Sequence, residues 1–342
     1  MMANLLEDLE AFKALIHGVP KYIVTFTHKN PDGDAIGSSL AIRRYLESFG
    51  HTVRTILPSD YPKMFDFLPG MNDVLIGEIH HDGCRSAIKM ADTFICLDFN
   101  SLDRIDWLAQ EMIESKGTKI LIDHHIDPEP FADLMFSDPM ASSTAELVYY
   151  LIDQMGDDSR IDTDAAEALY TGILTDTGSY KYSTSSRLFQ IAARLKEKGV
   201  DDYMLNIRLF NNMSEKQLRL LGHCLVNRME VLDELSTGII YLDKEDFKNY
   251  LIARGDTEGI VNYILMMRHI RVAILVTEQN QLIKLSFRSK GNISVQYLAH
   301  KYFRGGGHKN ASGGASRKSL EETLKYLKDI LPEFIQNQLN YV

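Results

Sequence analysis

Cysteine and long apolar runs are both scarce in this chain of 342 residues. The three cysteines, Cys84, Cys96 and Cys224, are far apart and include no C-x-x-C pair, which excludes a disulfide framework and suits a reducing compartment. No apolar run approaches the roughly 18 residues that a membrane-spanning helix needs. Residues 1–10 are acidic and amphipathic, whereas a signal peptide begins with basic residues. The sequence therefore predicts buried packing thiols and a cytoplasmic protein that does not contact membranes.

Low-complexity tracts are absent as well, and a content of 45% hydrophobic and 25% charged residues is typical of a folded globular protein. At roughly 150 residues per domain, the length predicts about two domains. The net charge of −10 argues against a protein that coats long duplex nucleic acid. Residues 268–318, however, contain ten basic residues and one acidic residue. This segment is suited to binding anions, whereas nearly all of the carboxylates lie in the rest of the chain.

The first half alternates short apolar strands with amphipathic helical patterns, which is typical of βαβ units and a parallel sheet. The strands are predicted at 22–27, 52–57, 93–98 and 119–123, and the helices at 4–17, 35–49, 102–115, 143–155 and 164–174. The pattern is wholly helical from about 185 to 235, with a long amphipathic helix at 214–234. Strands at 237–242, 271–277 and 282–287, the last two in a hairpin around 278–280, then alternate with helices at 292–303 and 320–338. We predict an α/β protein with a parallel-sheet domain at 1–190, a helical linker at 191–235 and a smaller mixed α/β domain at 236–342.

Acidic and histidine side chains follow three predicted strands at the point where each strand ends, and a further acid stands where a helix pattern breaks. Ligand sites in parallel-sheet folds lie at this carboxyl edge. A polar turn or an N-cap aspartate would explain a single strand ending of this kind. Three such endings are difficult to explain by capping alone and indicate a shared site. The residues are His28, Asp32, Asp34, Asp98, Asp123, His124, His125 and Asp176.

Carboxylates and imidazoles without thiolates suit Mn²⁺ or Mg²⁺ better than structural zinc. Six candidate ligands (His28, Asp32, Asp34, Asp98, His124 and Asp176) are too many for one ion with an open position. A two-metal centre that shares one aspartate explains them economically, and its chemistry is phosphoryl hydrolysis.

A second cluster lies in the basic segment, where three consecutive glycines precede a histidine. Glycines let backbone amides approach an anion closely, although a flexible loop is the alternative. The accompanying arginines favour an anion-binding loop, because guanidinium groups bind phosphate in a bidentate manner. The candidate residues are Arg288, Ser289, Arg304, Gly305, Gly306, Gly307 and His308.

The motifs HKNPDGDA, LDFNSLDR, IDHHID, TDTGSYKYS, FRSKGN and GGGHKNASGG, in this order, resemble those of the DHH phosphoesterases with a DHH-associated C-terminal domain. Within that superfamily the chain is most similar to the NrnA-type oligoribonucleases and pAp phosphatases, over about residues 20–335. The resemblance implies one Mn²⁺ held by His28, Asp32 and Asp98 and a second held by Asp34, Asp98, His124 and Asp176.

The resemblance also implies roles for the residues around these ions. Hydroxide activated by the two metals would attack phosphorus in line, His125 would contact the scissile phosphate, and Asp123 would support the loop. Arg104 would bind phosphate or cap the metal loop. The C-terminal domain would hold the remote part of the substrate and close over it.

The expected substrates are short oligoribonucleotides, cleaved to 5′-mononucleotides, and the bisphosphate pAp, converted to AMP. Linear or cyclic dinucleotides such as pApA and c-di-AMP are the alternative substrates. Polyphosphate hydrolysis fits less well, because the basic motif of the pyrophosphatase relatives is missing, and a processive exonuclease needs further domains. A nucleotide-binding module without catalysis is the alternative outside the enzymes, and a homodimer is left open.

Overall fold

The amino-terminal strands are nearly continuous apolar runs, and they form a parallel sheet that is covered on both faces. The computed structural model describes residues 2–211, 213–253, 255–279 and 282–339, and the chain divides into unit 1, Met1–Asn212, and unit 2, Met213–Val342. The strands of unit 1 lie in the order β3-β2-β1-β4-β5-β6, all parallel. They are β1 Tyr22–Phe26, β2 Thr52–Leu57, β3 Leu75–Ile76, β4 Thr93–Leu97, β5 Thr118–Asp123 and β6 Leu134–Ser137.

Several helices of unit 1 bury their apolar faces against the two sides of this sheet, and the later ones pack mainly on other helices. Alternate residues of β1 belong to different apolar clusters, Ile23 to one and Val24 to the other, because successive side chains of a strand point to opposite faces. Helix α2 is buried along nearly its whole length and packs against α5 and α6. The helices are α1 Met2–Ile16, α2 Gly33–Glu47, α3 His81–Met90, α4 Leu108–Glu114, α5 Thr144–Gln154, α6 Thr163–Asp176, α7 Ser186–Glu197 and α8 Asp202–Phe210.

The strand order places the candidate site residues at one edge. The sheet reverses its direction of winding between β1 and β4, which are direct neighbours. At such a switch point the loops that follow the two strands separate and leave a crevice, where ligands bind in this type of sheet. Residues after β1, β4 and β5 therefore meet at the carboxyl edge of the sheet.

Unit 2 has a mixed sheet in the order β11-β12-β10-β9-β8-β7, in which only the β8–β9 pair is parallel. Apolar side chains of β9 alternate between two clusters, one on each face. Its elements are α9 Glu215–Asn227, β7 Met229–Leu232, β8 Thr237–Leu242, α10 Lys244–Asn249, α11 Ile260–Leu265, β9 Val272–Glu278, β10 Ile283–Ser289, α12 Val295–Phe303, β11 Gly306–His308, β12 Ala311–Ser316 and α13 Leu320–Leu339. The predicted fold class, a parallel-sheet domain and a smaller mixed α/β domain, is confirmed.

Several local predictions need correction. The long helix expected to reach residue 234 ends at Asn227, and strand β7 follows, because the chain turns at Ser236 with a left-handed backbone and pairs β7 with β8. The helix expected at 102–115 is interrupted at Asp106, whose φ is +55°. Strands β3, β6, β7, β11 and β12 and helices α3, α10 and α11 were not predicted. The tip of the β9–β10 hairpin, expected around 278–280, includes residue 280, which lies outside the described residues.

The boundary between the units falls inside the predicted linker. Helices α7 and α8 contribute apolar residues to a core of unit 1, whereas α9 contributes residues to a core of unit 2. The three cysteines are buried free thiols, as predicted. Within the described ranges, no helix combines the length and apolar character needed to cross a membrane.

Candidate metal centre

The first group of candidate ligands gathers where β1 and β4 end. The Nε2 atom of His28 lies 3.4 Å from Oδ2 of Asp98 and 3.9 Å from Oδ1 of Asp32. Asp32 also caps α2, since its Oδ1 accepts the N–H groups of Asp34 and Ala35 at 3.0 and 3.1 Å. The two interpretations of this loop, turn chemistry and a ligand site, are therefore compatible.

The second group gathers around His124, the residue that follows β5. Its Nε2 atom lies 3.4 Å from Oδ2 of Asp176, 3.5 Å from Oδ1 of Asp98 and 3.9 Å from Oδ2 of Asp34. Asp98 thus belongs to both groups and presents one oxygen to each. Asp98 also has a left-handed backbone, with φ of +64°, a conformation that aspartate tolerates better than most residues.

Both histidines turn Nε2 towards the carboxylates and Nδ1 towards a backbone carbonyl. Nδ1 of His28 lies 2.9 Å from the Lys29 carbonyl, and Nδ1 of His124 lies 3.4 Å from the Ala141 carbonyl. Because a carbonyl only accepts hydrogen bonds, each Nδ1 carries a proton. This is the arrangement of a histidine that binds a metal. Burial opposes protonation of the two rings, but Asp98 and the other neighbouring carboxylates raise the pKa of His28 and His124 above the usual value.

The charge of the cluster also fits a divalent cation. Burial, together with the carboxylates of Asp98 and Asp176, raises the pKa of Asp34 well above its usual range. Burial, opposed by His124 and reinforced by Asp98, raises the pKa of Asp176 to about 7. Burial would also raise the pKa of Asp98, but His28, His124 and His125 together hold it below its usual value. Separations of 3.4–3.9 Å between nitrogen and oxygen are longer than ordinary hydrogen bonds. A cation between these lone pairs would compensate the concentrated negative charge.

The second histidine of the DHH motif lies beside an arginine. Nε2 of His125 is 3.1 Å from Nη1 of Arg104, and Nδ1 of His125 is 2.8 Å from Oδ1 of the fully buried Asp123. Because a guanidinium only donates hydrogen bonds, Nδ1 of His125 carries the proton and donates it to Asp123. Asp123 therefore orients the ring, and the ring faces a cationic group.

Two residues that the sequence analysis did not select also lie at the centre. The Thr144 hydroxyl donates to Oδ1 of Asp98 at 3.0 Å. A Cβ atom at Gly172 would lie 2.8 Å from Oδ1 of Asp34, so α6 approaches this carboxylate more closely than an alanine would permit. Neither residue carries a charge or a motif that could have identified it.

The glycine-rich cluster of unit 2 forms an edge strand. Residues 306–308 are strand β11, all exposed, and an edge strand leaves part of its amides outside the ladder. Two of the predicted binding groups also have partners within the unit, and their role in binding stays a prediction. The Gly305 N–H donates to the Ala299 carbonyl at 3.0 Å, and a Cβ there would lie 1.9 Å from the Gly313 carbonyl oxygen. This glycine thus permits close strand packing.

The other such group is the hydroxyl of Ser289, which is buried. It donates to the Ile293 carbonyl at 2.6 Å and accepts a hydrogen bond from Nδ2 of Asn310 at 2.8 Å. Asn310, which the sequence analysis did not select, also donates to the carbonyls of Gly291 and Ile293. It therefore joins the FRSKGN loop to the GGGHKN turn. Arg304 ends α12 with a left-handed backbone and is exposed.

Comparison with known proteins agrees with this architecture. The DHH family, N-terminal domain, matches residues 22–173, and the DHHA1 domain matches residues 248–337. The bifunctional oligoribonuclease and PAP phosphatase NrnA of Thermus thermophilus is 31% identical over 317 residues, which cover 92% of this chain and 90% of that protein. The cyclic-di-AMP phosphodiesterase PdeA of Listeria monocytogenes is 25% identical over 88% of this chain and 46% of its own length.

A solved structure is similar over almost the entire chain. The crystal structure of an exopolyphosphatase-related protein from Bacteroides fragilis has 37% sequence identity and a TM-score of 0.95, and the match covers 97% of this chain and 98% of that one. The fold and its acidic and histidine cluster define a hydrolase that acts on phosphoester bonds. The chain belongs to the DHH family and carries the DHH and DHHA1 domains, so the resemblance inferred from the motifs is confirmed.

Proposed function

We propose that this protein is a Mn²⁺-dependent phosphoesterase that hydrolyses short oligoribonucleotides to 5′-mononucleotides and converts pAp to AMP. The observation that carries the proposal is the position of Asp98, whose two oxygens face two separate groups of candidate ligands. One shared carboxylate between two such groups is suited to a two-metal centre for phosphoryl hydrolysis.

The proposed ligands divide between two cations. His28, Asp32 and Asp98 would hold one, and Asp34, Asp98, His124 and Asp176 would hold the other. When bound, two divalent cations supply Lewis-acid polarisation of the phosphoryl group and activation of water at neutral pH. Oxygen and imidazole ligands favour Mn²⁺, and Mg²⁺ is the alternative.

The proposed role of His125 and Arg104 is to bind the scissile phosphate. Nη1 of Arg104 lies 3.1 Å from Nε2 of His125, so a phosphate oxygen beside this pair would be within reach of both side chains. The Asp123 carboxylate accepts a hydrogen bond from Nδ1 of His125 and would hold the ring in this orientation. These groups bind and orient the phosphate.

The proposed role of unit 2 is to anchor the rest of the substrate. The exposed strand Gly306–His308 and the side chains of Arg288 and Arg304 lie in the basic segment. A local basic surface on a chain of net charge −10 suits a short anion better than a long polymer. Short oligoribonucleotides and pAp both have a second phosphate for such an anchor, and the Thermus relative is named for both activities.

Replacing His308 with alanine is expected to raise KM for pAp about tenfold with little change in kcat, because a lost hydrogen bond to a charged group costs about 1.5 kcal/mol. Steady-state kinetics measure both constants. His300→Ala is the matched control, since His300 is an exposed histidine in the last turn of α12 in the same unit. An unchanged KM in His308→Ala would contradict the proposed anchor.

The proposed activity is tested by comparing substrates on one preparation. Phosphate or mononucleotide release is measured from pAp, from RNA of two to five nucleotides and from c-di-AMP, with Mn²⁺, with Mg²⁺ and after removal of metal with a chelator. Turnover of pAp and short RNA that disappears with the metal supports the proposal. A strong preference for c-di-AMP favours the dinucleotide alternative, which the Listeria relative supports by its name. Binding of pAp by folded protein without turnover favours the nucleotide-binding module.

The proposed location is the cytoplasm, because all three cysteines are free thiols, as expected in a reducing compartment. Exclusion of long duplex nucleic acid follows from the net charge and is checked by a binding titration at several salt concentrations. The homodimer remains a prediction, and a sedimentation experiment on the purified protein measures the oligomeric state.

A further inference from the structure

Helix α5 begins at the metal centre and holds two of its carboxylates. The N–H groups of Thr144 and Ala145 donate to Oδ2 and Oδ1 of Asp34 at 2.6 and 2.9 Å. The hydroxyl of Thr144 donates to Oδ1 of Asp98 at 3.0 Å. Thr144 is fully buried, so one residue joins Asp34 and Asp98 through its backbone and its side chain.

The hydroxyl of Thr144 is not needed to begin the helix. Ser143 is the N-cap residue, and its side chain accepts the N–H of Glu146 at 3.0 Å. The Glu146 carboxylate in turn accepts the N–H of Ser142. Capping of α5 is therefore complete without the Thr144 side chain, and its hydrogen bond to Asp98 calls for another explanation.

We propose that Thr144 is a positioning residue that fixes the rotation of the Asp98 carboxylate, so that one oxygen faces each metal. The inference rests on the proposed two-metal function. Oδ2 of Asp98 faces His28 and Oδ1 faces His124. The terminal torsion of an aspartate is broad and weakly restrained. A donor fixed to the helix restrains it, and rotation without that donor would turn both oxygens away from their groups.

The proposed role distinguishes the hydroxyl from the rest of the side chain. Valine has nearly the same shape as threonine and keeps the backbone N–H to Asp34, but it lacks the hydroxyl. Alanine lacks the hydroxyl and is a good helix former. Serine keeps the hydroxyl. Thr93→Val is the matched control, because Thr93 is buried at the other end of β4, and its hydroxyl has no hydrogen-bond partner in the described part of the chain.

The test measures Mn²⁺ binding by titration calorimetry on the metal-free full chain, with circular dichroism to compare folding. The wild type is expected to bind two Mn²⁺ per chain. Thr144→Val and Thr144→Ala are expected to lower the affinity for at least one Mn²⁺ ion by about 10- to 100-fold, the usual effect of losing a residue that orients a metal ligand. Thr144→Ser and Thr93→Val are expected to bind as the wild type does.

The outcomes separate this inference from the function on which it rests. Wild-type binding by Thr144→Val or Thr144→Ala overturns the inference and leaves the two-metal proposal standing. Binding by Thr144→Ser as weak as that by Thr144→Ala also overturns it, because the hydroxyl would then not be the effective group. A wild type that binds no Mn²⁺ overturns the proposed function and this inference with it.

Discussion

Replacing Asp98 with asparagine is expected to lower kcat/KM for phosphoester hydrolysis by about 10³-fold or more. Among the residues that the structure describes, Asp98 is the one carboxylate that lies within reach of both His28 and His124, so its loss weakens both proposed metal positions together. Metal stabilisation of the transition-state charge contributes several kcal/mol. At about 1.4 kcal/mol for each factor of ten in rate, a loss of ~4 kcal/mol gives this decrease.

The fold is expected to survive this substitution. Asparagine tolerates the left-handed backbone of residue 98 and keeps an oxygen that can accept the Thr144 hydroxyl. In the metal-free protein the substitution removes both the attraction of Asp98 to the neighbouring histidines and its repulsion of Asp34 and Asp176, and these two effects oppose each other. Thermal unfolding by circular dichroism, measured beside the kinetics, separates loss of activity from loss of structure.

Asp106→Asn is the matched control for Asp98→Asn. Asp106 also has a positive φ, of +55°, but it is half exposed and its carboxylate is 2.7 Å from Nζ of Lys29. An exposed ion pair contributes roughly 0–1 kcal/mol, so activity is expected to remain near that of the wild type. Full activity in Asp98→Asn would mean that the measured activity belongs to a contaminant or that the metal centre is assigned wrongly.

The parts of the site that could be predicted are those with local signals. His28, Asp98 and His124 each follow a short apolar strand, and parallel strands bring their ends to one edge. The sequence patterns do not reveal the order of the strands in the sheet. That order makes β1 and β4 neighbours and places Asp98 between the two histidines. The resemblance to the DHH phosphoesterases predicted the same grouping of metal ligands, but it gave no distances between them.

The parts that could not be predicted depend on contacts between distant segments. The bond from Thr144 to Asp34 joins residues 110 positions apart, and nothing near Thr144 in the sequence indicates it. The strand β7 was predicted as helix because Met229, Val231, Leu232 and Leu235 fit both periods, and pairing with β8 decides between them. Gly305 was predicted to bind an anion, which stays a prediction, and its close packing against Gly313 is a second reason for the absence of a side chain.

Replacing Gly172 with alanine is expected to destabilise the protein by about 1–3 kcal/mol, the usual cost of overpacking, and to lower kcat/KM about 100-fold. The added Cβ would lie 2.7 Å from Cβ of Ala145 and 2.8 Å from Oδ1 of Asp34, so α6 must move away from α5. Asp176 is the last residue of α6, and it would move with the helix. A displacement of about 1 Å at a reacting group costs about 100-fold in rate. Thermal unfolding and steady-state kinetics measure the two effects.

Gly222→Ala provides the control with the opposite expected sign. Gly222 lies inside α9. Apart from its chain neighbours and the adjacent backbone of its own helix, no described heavy atom lies within 4 Å of the Cβ that alanine would add. Alanine there is expected to stabilise unit 2 by about 0.5–1 kcal/mol, because glycine is a poor helix former. The same substitution thus has opposite effects at two helical glycines, since only one of them lies against a carboxylate of the metal centre. If Gly172→Ala were as stable and active as Gly222→Ala, then α6 would not need this close approach to Asp34, and the glycine would have no part in building the centre.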